Sequence, residues 1–212
     1  MNSFSNKAGI KIIYNLIKTI KVNKEYLSEI DGAIGDGDHG INMNKGFCKT
    51  EEKLKDKDVN LSEGFKVLGM TLMTEIGGSI GPLYGTFFLR MAKVTTDKEK
   101  ITQDIFSEML NEAMSGLKNI GNAEVGDKTL MDTLIPAVET YDVACNEGKS
   151  FKESLTLMQE AAREGKDFTK DLVAKVGRSA RLGERSRGVL DAGATSCNMI
   201  LQTMADTIKE IL

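Results

Sequence analysis

The sequence predicts an all-α fold, and three observations carry that expectation. Only two of its 212 residues are proline, aromatics make up 6%, and apolar side chains recur at intervals of three and four where a half-buried strand would alternate them. No segment reads as a strand. The length suits one well-buried core, so residues 1–212 are read as a single domain.

Taken in order, Ile10, Ile13, Leu16, Ile17 and Ile20 make one apolar face of a first helix over 6–22. A second helix spans 42–54 and a third 62–76. Pro82 suits the first turn of a fourth, ending near 93, because a proline there loses no intrahelical hydrogen bond. Thr102 can cap a fifth that ends near 120. The sixth, 129–147, contains Pro136, which should bend or open it after two turns. Ser150 and Glu153 form a capping box for the seventh, which extends through 163 and, after a break, toward 176. The eighth runs over 194–212, with Ile200, Leu201, Met204, Ile208 and Leu212 along one side.

The connections sort by composition. Those after the first, third, fifth and seventh helices, at 31–40, 77–81, 121–128 and 177–193, are glycine-rich; those at 55–60, 94–100 and 146–150 are charged and plain. Short connections favour antiparallel neighbours, so an up-and-down bundle gathers the four glycine-rich loops at one pole. Glycine costs stability unless the backbone must turn sharply or let something come close. A ligand at that pole supplies the reason.

Charge indicates what kind of ligand. Between Lys24 and Lys45 stand Glu25, Glu29, Asp31, Asp36 and Asp38, with no Lys or Arg to balance them. Three of these carboxylates fall in DGAIGDGDHG, 31–40, where small residues let them fold onto one point. Hard oxygen ligands of this kind suit Mg²⁺ or Ca²⁺. A net charge of −3 and the lack of a basic stripe argue against a nucleic-acid surface, so any bound phosphate must be met mostly through metal.

Three familiar motifs are excluded. GDGDHG, 35–40, matches the dinucleotide fingerprint by letter, but two aspartates would repel a bare pyrophosphate and no βαβ pattern surrounds them. GNAEVGDKT, 121–129, misses the P-loop spacing because Asp127 intervenes before Lys128. An EF-hand opening at Asp36 would need glycine at Ile41 and glutamate at Phe47. Cys48, Cys145 and Cys197 lack metal or disulfide spacing and fit a reducing cytoplasm. Lys7, Lys11 and Lys18 interrupt the first segment, so neither a secretory signal nor a membrane span is expected there.

Five ordered motifs carry a family resemblance: GDGDHGINM (35–43), GGSIGPLYGTFF (77–88), GDKTLMDTL (126–134), GRSARLGERSRG (177–188) and DAGATS (191–196). Together they resemble DhaL, the family of nucleotide-binding subunits of bacterial dihydroxyacetone kinases, whose unit also forms the C-terminal half of ATP-dependent dihydroxyacetone kinases. The resemblance spans essentially the whole chain. It implies an eight-helix antiparallel up-and-down barrel with a nucleotide site at one end.

The resemblance further implies that Asp31, Asp36 and Asp38 ligate two Mg²⁺ ions, which hold the phosphates of a tightly bound ADP. His39, Gly40, Ile41 and Asn42 are implied as phosphate contacts, Ser79 and Ile80 as a second phosphate-side loop, and Gly121 and Leu130 as neighbours of the adenine. Arg178, Asp191, Ala192 and Gly193 match the remaining nucleotide contacts. The sequence departs from the family at Ile80, where a second serine is expected, at Arg181, where an aromatic is usual, and at Ala192, where proline is common.

The implied activity is phosphoryl transfer from a phosphohistidine on a phosphotransferase partner to the bound ADP, and onward to dihydroxyacetone held by a separate kinase subunit. The alternative is a nucleotide-dependent regulatory or coactivator protein of the same family. His39, the only histidine, is expected to donate to a phosphate oxygen, with service as a covalent phosphoryl carrier as the other option. Of Arg178, Arg181, Arg185 and Arg187, one or two are expected to act on phosphate or on an acidic partner.

Overall fold

The computed structural model describes residues 3–212. In chain order these residues form β1 (Ser3–Ser5), α1 (Asn6–Val22), α2 (Lys24–Ile34), α3 (His39–Leu54), α4 (Leu61–Glu75), α5 (Ile80–Thr95), β2 (Lys100–Thr102), α6 (Gln103–Gly121), α7 (Met131–Asn146), α8 (Phe151–Phe168) and α9 (Ala192–Ile211). Two 3-10 segments, Thr169–Asp171 and Ser179–Ser186, lie between α8 and α9.

The all-α expectation holds for the bulk of the chain, with two corrections. Ser3–Ser5 and Lys100–Thr102 pair as a two-stranded antiparallel sheet, Phe4 opposite Ile101, where no strand was expected. Three residues a side are too few to show alternation; Phe4 and Ile101 point inward and are buried. The second correction is α2, a ninth helix where a loop was expected. Leu27, Ile30 and Ile34 give it an apolar edge at spacings of three and four, but only over 11 residues rich in acid and interrupted by Gly32.

Eight of the helices close a ring. Each of α3 to α9 packs on its predecessor, α3 also packs on α1, and α9 returns to α1. Helix α2 stands outside this ring, packed on the start of α3. Gly40 makes that approach possible, since a Cβ there would collide with the Lys24 carbonyl and with Ser28.

The barrel is filled by one continuous apolar cluster. Phe47, Phe65 and Phe88 meet on one side, with Phe65 and Phe88 stacked at 5.8 Å. Phe4, Phe106, Tyr141 and Phe151 meet on the other. Each such side chain fully buried contributes about 2–3 kcal/mol.

Helix α7 runs through Pro136 as one helix, as the sequence indicated. Proline cannot donate to the carbonyl of Asp132 one turn back, and Gly165 of α8 lies so close to that carbonyl that a Cβ would strike it. Helix α8 continues unbroken to Phe168, past the expected stop at 163.

Candidate functional site

The four glycine-rich loops do converge. A cleft of about 250 Å³ is lined by residues from 31–42, 77–84, 128–130 and 176–193, so α1 and α2 together make one stroke of the barrel and the parity of the loops is preserved.

Helices α3, α5, α7 and α9 all begin at this cleft. Their residues before the first turn are Asp38, Ser79, Leu130 and Asp191, and the first three make no side-chain cap. Only Asp191 does so, accepting from Ala194 N at 2.7 Å. The helices that begin at the other end are all capped: α1 by Ser5, α4 by Asn60 with Glu63, α6 by Thr102, and α8 by Ser150 with Glu153. The first-turn N–H groups of α7 are taken by Thr129 Oγ1 and by the Thr129 and Leu130 carbonyls, so open amides face the cleft from α3 and α5, together with the positive ends of three helix dipoles, a setting that favours an anion.

The acidic side chains sit at the rim. Asp31 lies on the last turn of α2, while Asp36 and Asp38 flank Gly37, whose φ of +77° turns the chain so that both carboxylates face Asp31. One oxygen from each lies within 4.8 Å of the others, the only such group of three among the described residues. The set offers oxygen donors alone, which suits Mg²⁺. Asp31 also accepts from the backbone N–H of His39 at 3.2 Å, tying the acidic rim to the start of α3. The guanidinium of Arg178 lies against Asp36 and 3.9 Å from Asp38, so a cation already neutralises the outer side of the cluster.

The inner wall is built from three helix starts. His39 Nε2 lies 2.9 Å from Ser196 Oγ, which lies 2.6 Å from the Tyr84 hydroxyl. Burial pulls the His39 imidazole down to about 4, against a smaller opposing effect from Asp31, so the ring is neutral at pH 7. Burial pushes the Tyr84 phenol well above its ordinary value, keeping it protonated. At the floor, Asp191 is driven up to about 6 chiefly by burial, with its cap hydrogen bond and Lys128 acting the other way.

Lys128 is the buried cation below. Its Nζ donates to the carbonyls of Thr169 and of Val189, at 2.5 and 2.6 Å, which bracket the arginine-bearing loop. Gly188 N donates to Lys170 O across the same neck. The loop that carries Arg178 over the aspartates is thus tied at its base.

With this geometry stand the comparisons. Residues 33–206 match the family described as the DAK2 domain. The chain belongs to the DAK2 domain family. It is 40% identical over 189 residues to the ADP-binding subunit DhaL of the PEP-dependent dihydroxyacetone kinase of Escherichia coli (strain K12), covering 88% of this chain and 89% of that one. It is 37% identical to the ADP-binding subunit DhaL of the PTS-dependent enzyme of Lactococcus lactis, over 89% and 91% of the two chains. The dihydroxyacetone kinase of C. freundii, solved with AMP-PNP and Mg²⁺, shares the fold at a TM-score of 0.70 and 24% identity, over 94% of this chain but 33% of that longer one.

Within this DAK2 domain most of the expected residues meet. Asp31, Asp36, Asp38, His39, Asn42, Ser79, Ile80, Leu130, Arg178, Asp191, Ala192 and Gly193 all line the cleft. Three do not: Gly40 is buried against α2, Ile41 points outward at 52% exposure, and Gly121 is exposed at the end of α6. Of the arginines, Arg187 pairs with Glu184 and donates to Asp171 O, while Arg181 and Arg185 make no ion pair among the described residues. Sequence reasoning passed over Tyr84, Lys128 and Ser196. All three lie inside the quoted motifs, but their partners are distant in sequence and only the fold joins them.

Proposed function

We propose that this chain is the ADP-binding subunit of a phosphoenolpyruvate-dependent dihydroxyacetone kinase, holding ADP at the cleft through two Mg²⁺ ions and retaining it tightly. The observation that carries this reading is the placement of three carboxylates within 4.8 Å beside three helix starts that lack side-chain caps. A cation site and an anion site side by side suit a metal-bound diphosphate.

Asp31, Asp36 and Asp38 hold the metal, and the open amides of α3 and α5 take phosphate oxygens. Bound Mg²⁺ supplies the charge that offsets repulsion between the diphosphate and an anionic phosphoryl donor. Ile34, Ile80, Leu83 and Leu130 give the cleft apolar wall for a base. Arg178, on an exposed loop, exchanges its carboxylate partners for phosphate once metal is present. The phosphoryl group arrives from a phosphohistidine on a phosphotransferase subunit and leaves to dihydroxyacetone on a separate substrate-binding subunit. Three free cysteines suit a reducing cytoplasm.

Native mass spectrometry of the purified protein tests the binding: the expected mass carries ADP and two Mg²⁺. A protein that stays bare after incubation with Mg²⁺ and ADP defeats the reading. Reconstitution with the two partner subunits and phosphoenolpyruvate tests the transfer; ADP held without phosphate reaching dihydroxyacetone supports the regulatory role instead.

A further inference from the structure

Behind the cleft the first residue of α3, the second turn of α5 and the second turn of α9 meet through side chains. Ser196 is fully buried and Tyr84 is 3% exposed, so neither hydroxyl is satisfied by bulk water. Their partners are each other at 2.6 Å, His39 Nε2 at 2.9 Å from Ser196, and the Gly193 carbonyl at 3.1 Å from both. The other ring nitrogen of His39, Nδ1, has no protein partner among the described residues, and the ring lines the cleft.

Hydroxyl chemistry gives this chain a direction. A phenol is the stronger acid, so Tyr84 donates across the short contact to Ser196. Ser196 then has one proton to give, to Nε2 at 2.9 Å or to the longer contact at Gly193 O. That carbonyl lies inside α9 and already takes its helical bond from four residues on. The proton therefore goes to Nε2. In a neutral imidazole a nitrogen that accepts leaves the other to donate.

We propose that Tyr84 and Ser196 are positioning residues that hold His39 with its proton on Nδ1, so that the ring offers a hydrogen-bond donor to a phosphate oxygen in the cleft. The inference deepens the nucleotide-binding reading and rests on it for the identity of the anion. It also separates the two options for His39. A ring held this way has no lone pair toward the cleft, and attack on phosphorus or ligation of metal needs one.

The chain has a single histidine, so the imidazole signals of ¹⁵N-labelled protein need no assignment. In nucleotide-free, metal-free protein at pH 7, Nδ1 is expected to read as pyrrole-type and Nε2 as pyridine-type. In Ser196→Ala the preference should relax toward the Nε2-protonated form, and Tyr84→Phe, which keeps the ring in place, should shift it in the same direction by less. Mg²⁺–ADP affinity should fall about tenfold in Ser196→Ala. A pyridine-type Nδ1 in the unsubstituted protein overturns the proposal, as does a tautomer ratio identical in all three proteins. Failure of the unsubstituted protein to bind ADP would instead defeat the nucleotide reading, with the spectrum still deciding the tautomer.

Discussion

The guanidinium of Arg178 lies against the carboxylate of Asp36, joining the loop before α9 to the loop before α3 across the mouth of the cleft. Both side chains are about half exposed, at 59% and 47%, so solvent screens the pair and its worth is about 0–1 kcal/mol. A contact this weak can be exchanged. Arg178→Ala should therefore tighten Mg²⁺ binding to nucleotide-free protein, by up to about fivefold. It should weaken ADP binding, by about tenfold, through loss of a charged phosphate contact. Calorimetry with Mg²⁺ alone and then with ADP checks the opposite signs.

Replacing Asp36 and Asp38 with Asn keeps volume and removes two of three crowded negative charges. ADP affinity should fall on the order of 100-fold and become indifferent to chelator. The melting temperature without metal should hold or rise, because like charges within 4.8 Å repel. A scanning melt beside the binding titration separates lost ligation from lost fold.

Asp191→Asn should change how stability depends on pH. The folded carboxyl titrates near 6, above its ordinary 3.8, so its protonated form stabilises the fold below about 3.8 and that stabilisation is lost as pH rises through 6. His39 acts in the opposite sense: its folded value near 4 lies below 6.5, so its contribution is full above 6.5 and is lost as pH falls through 4. The difference between the two proteins isolates Asp191. Urea midpoints at pH 4.5 and 7.5 should show the unsubstituted protein gaining on the variant at acid pH, by on the order of 2 kcal/mol after allowing for partial exposure.

Lys128→Met should loosen the arginine-bearing loop. The variant leaves the Thr169 and Val189 carbonyls without their donor and removes the positive charge beside Asp132 and Asp191. A loss of about 2–4 kcal/mol is expected. Trypsin should then cut first between 178 and 187, where four arginines lie on the loop, and limited digestion with mass analysis reads the site.

Gly40→Ala tests the contact between α2 and α3. The added methyl meets the Lys24 carbonyl and Ser28, so the helices must part, at a cost of about 2 kcal/mol or more. Because His39 and Asp38 sit beside it, ADP affinity should fall as well. Gly121→Ala, with nothing within 4 Å of the added methyl, is the neutral control for stability.

Much of this was legible in the residues themselves. Eight of the nine helices announced themselves by apolar spacing and by caps such as Thr102, and the Ser150–Glu153 box stands as read. Helix α9 began two residues early because Asp191, read as a loop contact, is its cap. Helix α2 escaped because 11 residues bury only three apolar side chains and Gly32 imitates a loop. The metal aspartates were visible because their charge has no local balance, and a local imbalance needs no fold to be seen.

By itself the sequence determined the helical class, the gathering of glycine at one end and the acidic cluster, since periodicity, backbone freedom and charge are properties of short segments. Only the tertiary structure decided that Arg178 balances Asp36, that Lys128 ties the neck of its loop, and that Tyr84 and Ser196 stand behind His39. Those partners lie on different helices, far apart along the chain. Closure of the barrel brings them within hydrogen-bond reach, and burial then makes each unpaired proton or charge costly enough to fix its partner.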